Sequence, residues 1–183
     1  MPEAHTSRLA NRLGAVALTL GDGIREAVEE ATGLSGGAPA ALISLHEWAD
    51  GRSVEVLAAA MRVSHSRAVR VVDRLEAAGL ARRERSTADG RRALVVLEPA
   101  GHGLAEKAQR ARSAVLLGAV ASLDVADAPE LERMLGPLLA ARTHGTRTAA
   151  GICRMCDAHT CGHYDGSCPV SIAADAARRA GAR

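Results

Sequence analysis

The sequence predicts a mainly α-helical fold with one small β-hairpin, an α+β class in which helices form the framework. Three observations predict it. Apolar residues recur at helical spacing over most of the chain. One stretch alone changes to strand period, around an Asp-Gly turn. Aromatics make up only 1% of the 183 residues, Trp48 and Tyr164 with no Phe, so the core is built from Ala, Leu and Val. Such small aliphatic side chains favour close helix packing over an aromatic-rich sandwich.

Leu9, Leu13, Val16, Leu20, Ile24 and Val28 set a first helix over 5–31, and the glycines between Gly33 and Gly37 end it. Pro39 suits the first turn of a second helix over 39–49. Ser53 is placed to cap a short helix over 54–61, and Ser64 another over 65–78 that stops at Gly79. Leu80–Glu84 and Ala93–Leu97 read as strands joined by Ser86-Thr87-Ala88-Asp89-Gly90. Pro99 starts a long helix to about Leu123, and Glu130 to Arg142 forms the next. Residues 143–151 read as a linker, 152–170 as a Cys-rich segment, and the Ala-rich end as a short helix. No internal repeat is present.

Charge is unevenly placed. Residues 52–92 hold ten arginines and five acids, a net +5, which leaves −3 for the rest of a chain whose total is +2. A basic middle in a slightly acidic frame is an electrostatic footprint for a polyanion. Arginine abundance alone carries little, because only Lys107 among the 23 basic residues is lysine. Its distribution carries more. The scarcity of aromatics excludes modules that stack single-stranded bases on several rings.

The two short helices flank a tight turn, Met61-Arg62-Val63-Ser64, and so form a helix-turn-helix. On the second of them Ala68, Val69, Val72 and Leu75 gather on one side, Arg67, Arg70 and Arg74 on the other, with Ser66 at the edge. One face can pack while the other presents guanidinium groups, which match guanine's paired acceptors and phosphate. His65 and Ser66 add short polar groups at the helix start. The hairpin that follows reads as a wing. Its tip, Asp89-Gly90-Arg91-Arg92, suits the narrow, electronegative minor groove, with Asp89 placed to orient an arginine.

At these residues the sequence resembles the MarR family of winged helix-turn-helix regulators. The stretch Val63-Ser64-His65-Ser66 through Val72-Asp73-Arg74-Leu75-Glu76-Ala77-Ala78-Gly79-Leu80 resembles that family's recognition helix. Arg85, Asp89, Gly90, Arg91 and Arg92, with Leu97-Glu98-Pro99-Ala100-Gly101, match its wing, although Glu98 stands where the family has Thr. The resemblance implies a homodimer on a palindromic operator in double-stranded DNA, usually as a repressor. Arg91 would enter the minor groove, and His65, Ser66, Arg67 and Arg70 would face the major groove. It divides the chain into a dimerisation helix (5–35), a DNA-binding domain (36–100) and C-terminal dimerisation helices (101–143), with the Cys-rich segment (152–170) outside the core pattern. The apolar stripes of the terminal helices, Leu9 to Leu20 and Leu131 to Leu139, either pair with a second copy or complete a monomeric core. His46 and Trp48 could line an effector cleft, although a satisfied surface His and a buried aromatic are the blander roles.

All four cysteines fall within sixteen residues, Cys153, Cys156, Cys161 and Cys168, spaced C-x2-C-x4-C-x6-C, with His159 and His163 among them. The first pair has the spacing by which two thiolates reach one tetrahedral ion, which points to zinc, with a His able to replace a thiolate. An iron–sulfur cluster, suggested by Cys168-Pro169, and a metal-free thiol switch are the alternatives. None of the four precedes residue 153, so the first helix lacks a peroxide-sensing Cys. A zinc or thiol enzyme on a helical scaffold is the competing function. The chain has no phosphate loop or His-Glu-x-x-His run to support it, and the expected protein is not an enzyme. No apolar run is long enough to span a membrane and no signal region is evident, so the expected location is cytoplasmic.

Overall fold

The computed structural model describes residues 3–86 and 93–181. Helix α1 (Glu3–Thr32) is followed by α2 (Ala38–Ser44), which has Pro39 in its first turn and runs into one wide π turn, Leu45–Ala49. Next come a two-residue strand β1 (Arg52–Ser53) and the pair α3 (Val54–Met61) and α4 (His65–Ala77). Strands β2 (Ala81–Arg85) and β3 (Ala93–Leu97) pair antiparallel from Ala81↔Leu97 to Arg85↔Ala93. Helices α5 (Pro99–Val120), α6 (Ala128–Ala141), α7 (Thr146–Cys153) and α8 (Pro169–Gly181) complete the chain. The mainly helical class with a small hairpin is thus the observed one.

The sequence reading is corrected in three places. The hairpin is the larger part of a three-stranded sheet, ordered β1-β3-β2, because Gly51 N donates to Val95 O at 3.0 Å and Arg52 pairs with Val95. Residues 143–151, expected as a linker, carry α7, whose buried Gly151 packs on α3. The long helix stops at Val120, three residues early, and turns through Ser122 and Leu123.

The core is aliphatic throughout. Leu42, Leu45, Leu57, Val72, Leu75, Val95 and Ala105 share one cluster that joins α2, α3, α4, the sheet and the start of α5. A smaller cluster of Val28, Ile43 and Ala108 fixes α1 and α5 to α2. Small side chains let backbones approach closely, and Gly101 shows the consequence. A Cβ there would overlap the Leu80 carbonyl oxygen and stand 3.0 Å from Leu97 Cδ2. Glu98 N donates to the same carbonyl at 3.0 Å, so α5 starts directly against the end of α4 and the base of the hairpin.

Helix α1 is different. Its N-terminal half leaves Leu9, Leu13, Val16 and Leu18 exposed, Leu18 by 72%. Helix α6 buries no residue and exposes Met134, Leu135, Leu138 and Leu139. Neither stripe completes the core of one chain. Among the described residues no helix is long and apolar enough to cross a membrane.

Replacing Gly101 by Ala forces a methyl group into the Leu80 carbonyl, so Gly101→Ala is expected to destabilise the fold by about 1–3 kcal/mol. Urea unfolding followed by circular dichroism checks it as a lower midpoint with an unchanged slope.

Candidate nucleic-acid interface

The helix-turn-helix is made by local chemistry. Helix α3 ends at Arg62 in the left-handed conformation (φ 56°), and Val63 N donates back to Ala58 O at 3.0 Å. Ser64 then caps α4, its Oγ accepting from Arg67 N at 3.4 Å and lying 3.2 Å from Ser66 Oγ. At the other end Leu80 N reaches back to Leu75 O at 2.9 Å around Gly79. Ser53 stands at the start of α3 but makes no side-chain cap bond.

Helix α4 divides as its sequence requires. Ala68, Val71, Val72 and Leu75 are buried, and Arg67, Arg70 and Arg74 are exposed. The one revision is Val71, which takes the fully buried place expected of Val69. Among the described residues Arg67, Arg70 and Arg74 join no ion pair, so their charge is available to a ligand. His65 is exposed at the helix start, its Nδ1 3.6 Å from the Glu55 carboxylate. Arg85 is exposed at the end of β2. Asp89, Arg91 and Arg92, expected at the wing tip, lie outside the described residues.

Two other arginines of the basic segment serve structure. Arg83 hydrogen-bonds Glu76 through its backbone N (2.7 Å) and its guanidinium, and reaches Asp73 at 2.8 Å, tying β2 to α4. Arg82 pairs with Glu84 and, at 3.0 Å, with Glu98. The departure at Glu98 therefore has a role, since its carboxylate anchors an arginine of the facing strand. Both arginines add to the positive count of residues 52–92, but their charges are matched by carboxylates of β2, α4 and Glu98.

The Cys-rich segment folds back on this domain. Ser44 Oγ, fully buried, donates to Arg154 O at 2.9 Å, and Trp48 Nε1 donates to Cys153 O at 3.4 Å. Glu47 accepts from Ala158 N at 2.8 Å through its carboxylate, and its backbone carbonyl accepts from Tyr164 Oη at 2.6 Å. Trp48 lines a cavity of about 520 Å³ together with Arg52, Cys153, Cys156, Cys161 and His163. His46 does not line it; its Nδ1 is 3.1 Å from His102 Nδ1 on α5. The two residues expected to share a cleft are thus separated.

The four thiols interact with one another. Hydrogen bonds from Cys153 and Cys161 converge on Cys156, whose pKa is lowered to about 6, the Cys153 bond being the larger influence, with help from the Arg112 charge. Cys153, as donor, is raised, and burial pushes Cys161 up to about 12. Cys168 is buried and adjoins Cys161. The donor set, four thiols joined in a chain of contacts from Cys153 through Cys156 and Cys161 to Cys168, suits a thiophilic ion. As they stand, no three His, Cys, Asp or Glu side chains among the described residues enclose an ion position, so ligation would draw the sulfurs inward. His163 Nδ1 is engaged by Ser171 Oγ at 2.9 Å, and His159 packs against the Tyr164 ring.

A helix-turn-helix with its cationic helix outward and a hairpin beside it defines a winged helix-turn-helix protein. Residues 32–92 match the MarR family, and the winged helix-turn-helix of this chain is a MarR-family domain. The chain is similar to a MarR family protein from Bacillus stearothermophilus at 25% identity and a TM-score of 0.66, covering 75% of this chain and 95% of the other. It is similar at 25% identity to CouR from Rhodococcus jostii RHA1, solved with p-coumaroyl-CoA, over 71% of this chain and 93% of that one (TM-score 0.57). YusO from Bacillus subtilis shares the fold at 22% identity and a TM-score of 0.63, over 77% and 99%. No curated protein matches as a sequence relative. The fold is that of MarR-family transcriptional regulators.

Arg83 and Arg67 are expected to behave oppositely in stability measurements. Arg83→Ala frees two carboxylates and loosens β2 from α4, lowering stability by about 1–2 kcal/mol. Arg67→Ala leaves thermal unfolding within about 0.5 kcal/mol of the parent.

Proposed function

We propose that the protein is a MarR-type transcriptional regulator that binds a palindromic operator in double-stranded DNA as a homodimer and represses transcription from it. The observation that carries this reading is the division of α4. Its apolar side is seated in the core, and Arg67, Arg70 and Arg74 stand outside it, free of ion pairs among the described residues. His65 and Ser66 begin the same helix, where base edges are approached, and Arg85 leads toward the wing whose Arg91 and Arg92 would serve the minor groove.

The exposed stripes on α1 and α6 support the dimer. Large contiguous apolar surface on a monomer marks a partner site, and a second copy doubles contacts on paired half-sites about one helical turn apart. One module alone buries too little surface for tight, specific binding. A small organic effector is a further expected partner, since the similar CouR is solved with p-coumaroyl-CoA, and the cavity beside Trp48 offers room for one. The Cys-rich segment packs on α3 and so can pass its metal or redox state to the helix-turn-helix.

In gel-shift titrations against a duplex selected from a random pool, Arg67→Ala and Arg70→Ala are each expected to weaken binding by about 1–3 kcal/mol while leaving the fold intact. Affinity should fall steeply with salt. Equal affinity for all duplexes, unchanged in both variants, refutes the reading.

A further inference from the structure

The segment from Arg154 to Ser167 has no helix or strand, yet it follows a defined path. Short backbone bonds set each cysteine in its own turn: Cys156 N to Cys153 O at 3.0 Å, Cys161 N to Asp157 O at 3.0 Å, and Cys168 N to Gly162 O at 3.1 Å. Asp157 and Asp165 hold the intervening loops by accepting from Thr160 N and Ser167 N. Little apolar surface backs this path, since Ala158 is its only fully buried side chain apart from the glycine at 162. Ordering a residue costs about 1–2 kcal/mol of backbone entropy. Small irregular segments normally offset that cost with a cross-link or a metal.

We propose that Cys153, Cys156, Cys161 and Cys168 together bind one zinc ion, which fastens the C-terminal segment to the π turn after α2 and to the helix-turn-helix. Cys153, Cys156 and Cys161 line one cavity, and the buried Cys168 adjoins Cys161, so the donors are neighbours before any ion arrives. Zinc–sulfur bonds of about 2.3 Å place tetrahedral ligands about 3.8 Å from one another, close to the separation of sulfurs in contact. A cubane iron–sulfur cluster holds its four thiolates on separate irons, further apart than thiols in contact. Each ligating thiol gives up its proton as its sulfur joins the ion, and the site is closed, with no position left for water.

The ion would act on the helix-turn-helix through specific contacts. Arg154 and Met155, held between the first two cysteines, line a cavity of about 350 Å³ with Met61, Val63, Arg67 and Val71. Gly151 lies under the Arg62 side chain, where a Cβ would stand 2.5 Å from Arg62 Nε. The Cys153 carbonyl takes the indole N–H of Trp48, which is the only tryptophan in the chain and so reports on docking. None of this depends on what the outer face of α4 binds.

The test uses the reduced full-length chain. Cobalt titration is expected to give thiolate-to-metal absorption that saturates at one ion per chain and is displaced by one equivalent of zinc. Stripping zinc with a chelator is expected to shift Trp48 emission to the red, and zinc is expected to restore it. Cys156→Ser with Cys161→Ser should lose both signals, and the wild-type titration stands even if that variant fails to fold. Absence of cobalt–thiolate absorption overturns the site. Iron with acid-labile sulfide overturns zinc, as does a Cys153–Cys156 disulfide in place of metal uptake. Zinc uptake with unchanged Trp48 emission overturns the fastening.

Discussion

Everything outward-facing on α4 depends on how its inner side is seated. Ala68, Val71, Val72 and Leu75 are each at most 2% exposed, and that burial fixes the rotation of the helix about its axis. With the rotation fixed, the helical period leaves Arg67, Arg70 and Arg74 no choice but solvent. The seating is reinforced from the sheet, where Arg83 clamps Asp73 and Glu76 to β2. A guanidinium can then be presented at a definite place without a partner of its own. Position is bought by aliphatic packing, while the charge is left unspent for a polyanion.

The same economy governs the rest of the domain. A core without phenylalanine has to gain its burial from close backbone approach, and the Gly101–Leu80 contact is where that approach is tightest. It fixes α5, and through α5 the long α1, relative to the hairpin and α4. The exposed stripe on α1 therefore belongs to the frame that carries the basic helix, while α6 joins that frame through α8 and α7, which packs on α3. In such a frame the spacing between two basic helices would follow from how two copies meet.

The sequence made the local features legible and left the tertiary ones hidden. Ser64, Gly79, Pro39 and Pro99 marked helix ends because capping and proline chemistry are local. The alternation in Ala93–Leu97 marked a strand for the same reason. Strand β1 escaped notice because two residues carry no periodicity and exist as a strand only by pairing with Val95 and Leu94. Helix α7 escaped because Thr146, Thr148 and Gly151 are poor helix formers, and docking on α3 under Arg62 overrides their preference. Arg82 and Arg83 entered only the charge count of residues 52–92, and their partners, Glu84 and Glu98 for one and Asp73 and Glu76 for the other, appear only in the folded chain. The Cys spacing announced a cluster but gave no sign that Trp48, Ser44 and Glu47, about a hundred positions earlier, would receive it.

The central claim is that α4 enters the major groove of duplex DNA in two symmetric copies. Interference by methylation at guanine N7, an acceptor exposed only in the major groove, tests it most directly on a selected operator. The account predicts two blocks of interference about one helical turn apart, related by the dyad of the site. A single block, or interference confined to adenine N3 in the minor groove, would contradict it.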